Sequence, residues 1–200
     1  MAKKTFKARG FANTTATTSY VTLFDKLKQS AGGSKKSSAW FQRTIKEYAS
    51  EYKVEEGDIQ ENVLLKDPLV GYLYMFEYKA KMRYLPYYDK FPLAYVIKDT
   101  AEYFWAANLH YIEPKKRLKI VTDLAKNKIS IPKKCVNKYL KDHVQSYYLK
   151  LSEKEWDTSI FIPVENFVNY RQVPYDSELV WKETNDDYYN MLKGSRKVEN

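Results

Sequence analysis

The chain has 200 residues, a single cysteine at Cys135, and a hydrophobic fraction of 44%. This length suits one domain, the lone cysteine excludes an internal disulfide, and no uninterrupted apolar run approaches the roughly 18 residues of a membrane-spanning helix. The formal net charge is +9, and 19 tyrosines contribute to an aromatic fraction of 16%. The composition predicts a tyrosine-rich core whose ring hydroxyls need polar partners.

The excess positive charge lies in the first quarter of the chain. Residues 1–50 contain ten lysines and arginines against Asp25 and Glu47, which gives +8 of the total +9. A basic arm attracts polyanions, with nucleic acid as the first candidate and an anionic membrane as the second. The alternative is a solvated leader that only aids solubility. We predict DNA contacts at Lys3, Lys4, Lys7, Arg9, Lys26, Lys28, Lys35, Lys36 and Arg43.

Two helical patterns precede the body of the protein. "VTLFDKLKQS" has helical apolar spacing, and "SSAWFQRTIKEYASEYKV" begins with serines that can cap a helix. An acidic loop, "EEGDIQENVLLKDP", follows. We therefore divide the chain into a basic, flexible arm (1–35), a helical segment with the acidic loop (36–66), an α+β core domain (67–172) and a peripheral C-terminal tail (173–200).

Three strand patterns begin after Gly71. "GYLYMFEYKAK" alternates aromatic and other side chains, which predicts a strand with an aromatic face. "FPLAYVIKD" reads as a buried strand, and "EYFWAANLHYIEP" pairs with it after a tight "KDTA" turn. These elements predict an α+β fold with a small curved antiparallel sheet, or an SH3-like partial barrel, flanked by helices.

The rest of the chain predicts two further helices and one strand. Pro114 suits the first position of a helix, and "KKCVNKYLKDHVQSYYLK" carries an apolar stripe at helical spacing. "EWDTSIFIPVENFV" predicts a short strand that ends at Pro163. The polar sequence after Val173 predicts a peripheral or partner-bound tail.

The stretch "MRYLPYYDKFPLAYVIKD" is stiff and aromatic. Each of its prolines pushes the preceding residue toward extended geometry, and Asp89 can bond the backbone amides of a turn. The projecting rings suit either a stacking platform or partner anchor, or a plug that closes the core. We favour the plug, because a small body has few other ways to close its core.

A longer pattern includes this stretch and consists of Met75, Phe76, Tyr78, Leu85, Pro86, Tyr87, Tyr88, Asp89, Phe91, Pro92, Leu93, Asn108, Leu109, His110, Tyr111, Pro114, Lys115 and Arg117. This pattern resembles a motif of a family of small virion-associated proteins of T-even-like tailed bacteriophages. Some members are labelled DNA end protector proteins. Glu113 stands where a proline is common in that pattern, which concerns only the helix entry.

The resemblance implies a virion protein, made in the host cytoplasm, whose partners are DNA and other virion proteins; self-association in the particle stays open. Within its motif we assign partner-binding positions to Tyr84, Tyr87, Tyr88, Asp89, Phe91, Asn108, His110 and Tyr111.

Enzymatic chemistry finds little support in the sequence. His110 and His143 are the only histidines, and with Cys135 they offer no zinc-ligand spacing. There is no glycine-rich phosphate loop and no nucleophile elbow. We predict a non-enzymatic phage structural protein, without cofactor, metal or membrane, that contacts DNA through its basic arm. The alternative is a neck or baseplate docking subunit whose arm binds a protein.

Overall fold

The computed structural model describes residues 40, 43–44, 64–81, 85–128 and 131–195. The whole of the predicted arm (1–35) and most of the two predicted N-terminal helices therefore lie outside the described residues. Trp40, Arg43 and Thr44 are helical, and the Thr44 hydroxyl donates to the Trp40 carbonyl at 2.9 Å, one turn earlier. No helix in the described part of the chain is both long and apolar enough to cross a bilayer.

An open antiparallel sheet of six strands forms the centre of the protein. Its strands lie in the order β1-β7-β2-β4-β5-β6, so β1 and β6 are the edges. The strands are β1 (Leu64–Leu65), β2 (Leu73–Met75), β4 (Leu93–Asp99), β5 (Tyr103–Asn108), β6 (Val136–Leu140) and β7 (Tyr148–Leu151). A separate pair is formed by β3 (Tyr88–Asp89) and β8 (Phe167–Val168).

This architecture confirms the α+β class and the antiparallel sheet, but not the SH3-like partial barrel. Six strands take part instead of three, and the sheet does not close. β1, β6 and β7 each supply a strand that the sequence did not predict. The sheet also begins at Leu64, shortly before the predicted boundary of the core domain.

The two faces of the sheet bury different kinds of side chain. Tyr74 and Phe76 lie on an aromatic face, where the Phe76 ring centroid is 5.6 Å from that of Phe104 and 5.3 Å from that of Tyr139. Leu73 and the other side chains of its cluster fill the opposite, largely aliphatic face. The alternation predicted for this segment is confirmed, because successive strand residues point to opposite faces.

Helices cover parts of this framework. The helix α1 (Pro114–Ala125) begins at its proline as predicted, and its Val121 is fully buried. A single turn, α2 (Trp156–Ser159), precedes β8. The last helix, α3 (Ser177–Ser195), occupies most of the segment for which we predicted a peripheral tail, and it buries Val180 and Thr184.

The helix predicted over "KKCVNKYLKDHVQSYYLK" is wrong. This segment forms β6 and β7, joined through a short 3-10 turn at Lys141–His143. Val136 and Leu140 suggested a helical stripe, but residues four apart also share one face of a strand. Pairing with β5 decides between the two conformations, because it places the Tyr139 ring against the buried Phe104 ring.

The strand predicted to end at Pro163 is also wrong. The chain forms α2 and a turn there, and the strand β8 follows the proline instead of preceding it. Ile160 and Ile162 are buried as a strand would bury them. They reach the core from the helical turn, where the Ile160 amide donates to the Trp156 carbonyl at 3.2 Å.

Candidate functional site

The motif that resembles the phage family (residues 75–117; called the resembling motif below) includes Asp89. The carboxylate of Asp89 lies at the centre of a buried polar network. Its Oδ1 accepts hydrogen bonds from the backbone amides of Phe91 at 3.0 Å and Asn166 at 3.3 Å. Its Oδ2 accepts from Asn108 Nδ2 at 3.1 Å and lies 2.7 Å from His110 Nδ1. Four groups therefore satisfy one buried carboxylate, as such a charge requires.

Local sequence explains how Asn108 and His110 reach this position. Asn108 ends β5 and caps the 3-10 turn Leu109–Tyr111, where its Oδ1 accepts from the His110 amide at 3.0 Å. The cap holds both side chains toward β3, which carries Asp89. The turn that we predicted at Asp89 is confirmed by its bond to the Phe91 amide.

The charges and hydrogen bonds around Asp89 and His110 indicate which of the two side chains carries the shared proton. Burial raises the pKa of Asp89. The His110 charge and the surrounding hydrogen bonds together lower it by a larger amount, so the net pKa is below the ordinary value. An ionised Asp89 requires the proton to be on His110 Nδ1, which then donates. The other ring nitrogen, Nε2, is buried and has no hydrogen-bond partner among the described residues. The pair thus ties β3 to the turn after β5 and does not present Nε2 to solvent.

A buried arginine connects α1 to the segment before β8. Arg117 is fully buried; its Nε donates to the Ile112 carbonyl at 2.8 Å and its Nη1 to the Ile160 carbonyl at 3.1 Å. Its Nη2 forms a charge-assisted bond with Glu165. Burial lowers the pKa of Arg117 while Glu165 opposes that shift. Arg117 belongs to the resembling motif, but we predicted no role for it from the sequence.

The helix α3 lies directly on this network. Trp181 Nε1 donates to the His110 carbonyl at 2.8 Å. Glu183 accepts from the hydroxyls of Tyr87 at 2.8 Å and Tyr175 at 3.0 Å, and these two rings stack with centroids 4.4 Å apart. The C-terminal segment is therefore joined to the motif by specific polar contacts.

The predicted partner-binding positions that the structure describes lie inside the protein. Tyr87, Tyr88, Phe91 and Tyr111 are each at most 7% exposed. Tyr84 lies outside the described residues. A stacking platform needs an exposed ring face, so this burial favours the core plug over a direct binding surface.

The predicted DNA-contacting cations are scarcely represented among the described residues. Only Arg43 is described, and it is exposed. Lys3, Lys4, Lys7, Arg9, Lys26, Lys28, Lys35 and Lys36 lie outside the described residues. Their assignment therefore stays a prediction from charge.

A surface pocket of about 460 Å³ has a lining that includes Lys79, Lys81, His143 and Tyr170. His143 was predicted on a helix, but it lies in the turn after β6, and its Nδ1 is 2.9 Å from the Lys79 carbonyl oxygen. Within the described ranges there is no group of three or more histidine, cysteine or acidic side chains that could hold a metal ion.

One exposed group of side chains was not predicted from the sequence. Trp105 of β5 lies between Lys98 of β4 and Lys138 of β6 in the register of the sheet. The misassigned helix concealed this row, because Lys138 was not expected in a strand beside Trp105. The alternation of "EYFWAAN" was the available signal, since it places Tyr103 and Trp105 on one face.

Comparison with known proteins identifies one family. A family model described as "Phage T4 terminal DNA protecting protein" matches residues 19–138, which include all the motif residues from Met75 to Arg117. No curated protein and no solved structure was found to match. Because the family model covers more than half of the 200 residues, the chain belongs to the Phage T4 terminal DNA protecting protein family.

Proposed function

We propose that this phage protein protects DNA ends without enzymatic activity and contacts DNA through its basic N-terminal arm. Membership of the terminal DNA protecting protein family is the observation that carries the DNA-end role. The charge distribution supports the arm as the contact, since residues 1–50 hold +8 of the total +9. The virion and the host cell before assembly are the corresponding locations, and other virion proteins are further partners.

The interior of the body supports a structural role rather than a catalytic one. The histidine with a carboxylate partner, His110, is fully buried, so a substrate cannot reach its free nitrogen without unfolding of the site. The buried arginine Arg117 is already held by two carbonyls and Glu165. These groups stabilise a rigid body to which the arm is attached.

The affinity of the arm for DNA should fall as the salt concentration rises. Each phosphate that a lysine or arginine neutralises releases counterions, so six such contacts predict a slope of about −5 in log affinity against log salt concentration. Charge of this kind does not read base sequence. We therefore expect the protein to bind DNA ends regardless of their base sequence.

A salt titration with two DNA forms tests this proposal. The intact chain is compared with a full-length variant carrying Lys3→Gln, Lys4→Gln, Lys7→Gln and Arg9→Gln, on blunt linear DNA and on a closed circle of the same sequence. If all four cations meet phosphates, the slope becomes shallower by about 3.6.

The matched control carries the same loss of charge on the body, at Lys66, Lys119, Lys126 and Lys128, which are exposed. A slope reduced equally by both variants contradicts the arm as the contact. Absence of DNA binding at low salt contradicts the whole proposal, and a discrete complex with a neck or baseplate protein then favours the docking role.

A further inference from the structure

Three side chains form a cation–aromatic–cation row across the sheet. Lys98 pairs with Trp105 in the β4–β5 register, and Trp105 pairs with Lys138 in the β5–β6 register. Directly opposed residues of antiparallel strands project from the same face, so the indole lies between two lysines. Neighbouring strands are about 4.8 Å apart, which separates the two lysine backbones by roughly 10 Å. Tyr103 extends the row, with its ring centroid 3.8 Å from Lys138 Nζ.

This row lies on the part of the sheet face that the core does not cover. Further along the same strands, Tyr95 and Ala107 are buried in the aliphatic core. Trp105 is 36% exposed and the neighbouring Ile97 is 41% exposed. The register of β4 and β5 shifts between Val96 and Lys98, and such an irregularity bends a strand and re-aims its side chains. Tryptophan is enriched among the residues that carry most of the binding energy at interfaces.

The two lysines are available for an anion. Neither Lys98 nor Lys138 forms an ion pair with any residue that the structure describes, and both are exposed. Other lysines of the body are neutralised: Lys119 pairs with Asp123 at 2.6 Å, and Lys141 pairs with Asp99 at 3.0 Å. The row therefore combines an apolar ring with two ammonium groups that have no ion-pair partner among the described residues.

We propose that the row Lys98–Trp105–Lys138 binds the terminal base pair of a DNA duplex. A duplex exposes the π-face of a base pair only at its ends, and an exposed indole can stack on that face. The lysines reach the last phosphates on either side of the indole through their flexible four-carbon stems. This inference rests on the proposed DNA-end function: the arm holds DNA of any form, and the row distinguishes an end from the interior of a duplex.

The test compares a blunt-ended duplex with a dumbbell of the same sequence whose ends are closed by loops. Binding of the full-length protein is measured by fluorescence anisotropy at several salt concentrations. Trp105→Ala is expected to reduce the preference for the open end about tenfold, while affinity for the dumbbell stays unchanged. Trp105→Phe keeps an aromatic face and retains most of the preference. Lys98→Gln with Lys138→Gln reduces end affinity and makes its salt slope shallower by about 1.8.

Tyr147→Ala is the matched control, because Tyr147 is 57% exposed and lies outside the row. It is expected to bind both DNA forms as the unaltered protein does. Thermal unfolding of each variant shows whether the sheet is intact.

The outcomes separate this inference from the proposed function. An end preference that survives Trp105→Ala in a folded protein overturns the row while leaving the arm as the DNA contact. Equal binding of the unaltered protein to both DNA forms also overturns the row. Failure of the unaltered protein to bind either form overturns the proposed function and the row together.

Discussion

Nδ1 of His110 lies 2.7 Å from Oδ2 of Asp89, and both side chains are buried. This contact joins β3 to the turn after β5, two elements that the sheet itself does not pair. Asn108 and two backbone amides complete the surroundings of the carboxylate. The ionised form of Asp89 therefore stabilises the folded state, and this contribution to stability depends on pH.

We predict that Asp89→Asn removes part of the acid sensitivity of folding. Burial raises the pKa of Asp89, but His110 and the hydrogen bonds lower it more, to below its ordinary value of 3.8. A lowered pKa stabilises the folded state above the unfolded pKa, and this stabilisation disappears as the pH falls through the folded pKa. Urea titrations from pH 7 down to pH 3 measure the free energy of unfolding of both proteins.

The difference in free energy of unfolding between the unaltered protein and Asp89→Asn should be about 3 kcal/mol at pH 7, because the variant leaves buried donors facing an amide. It should shrink below about pH 4. A difference that stays constant across this range would show that folding does not lower the pKa of Asp89, and a difference that grows as the pH falls would show that Asp89 is neutral in the folded protein.

The buried ion pair of Arg117 and Glu165 predicts a large effect from one substitution. Arg117→Met leaves the Glu165 carboxylate without its partner and removes the donors to two carbonyls. Breaking a buried pair from one side costs about 3–5 kcal/mol, which urea unfolding at pH 7 can measure. Lys119→Met is the control, since it breaks an exposed pair with Asp123 and should change the free energy of unfolding little. Equal effects of both substitutions would contradict the burial of Arg117.

Cys135 should be unreactive in the folded protein. Burial raises the pKa of its thiol to about 12, so hardly any thiolate exists at pH 8. A coloured disulfide reagent should therefore label no thiol in native buffer and one thiol per chain after denaturation. Rapid labelling of the native protein would mean that the segment around the 3-10 turn Lys133–Cys135 opens readily.

Short sequence patterns predicted those structural elements that are determined by neighbouring residues in the chain. The β4–β5 hairpin follows from apolar runs around a short turn, where the Thr100 hydroxyl donates to the Tyr103 carbonyl at 2.6 Å. The start of α1 follows from Pro114. In the site, the turn-forming role of Asp89 was predicted from the sequence, because an aspartate bonds amides two residues ahead.

Contacts between distant segments were not predictable in the same way. β6 reads as a helix until β5 is placed beside it, because its apolar spacing fits both periods. Arg117 and Glu165 are 48 residues apart, and no local pattern couples them. The row around Trp105 depends on two strand registers, one of which belongs to the misassigned segment.

The last prediction concerns α3, which occupies the segment that we expected to be a peripheral tail. Trp181→Phe keeps a ring against the body but removes the Nε1 hydrogen bond to the His110 carbonyl. The net loss of one such bond is about 1 kcal/mol. Hydrogen exchange of the backbone amides should therefore accelerate in α3 while β4 and β5 keep their protection, because a contact at the edge of the network stabilises the helix before it stabilises the sheet.

Lys182→Gln is the control, since Lys182 is an exposed neighbour on the same helix. Amides of α3 that exchange freely in the unaltered protein would support a peripheral tail instead. Strong protection that Trp181→Phe lowers and Lys182→Gln does not would make α3 part of the body that contains the motif, because the helix then depends on its hydrogen bond to the His110 carbonyl in the turn after β5.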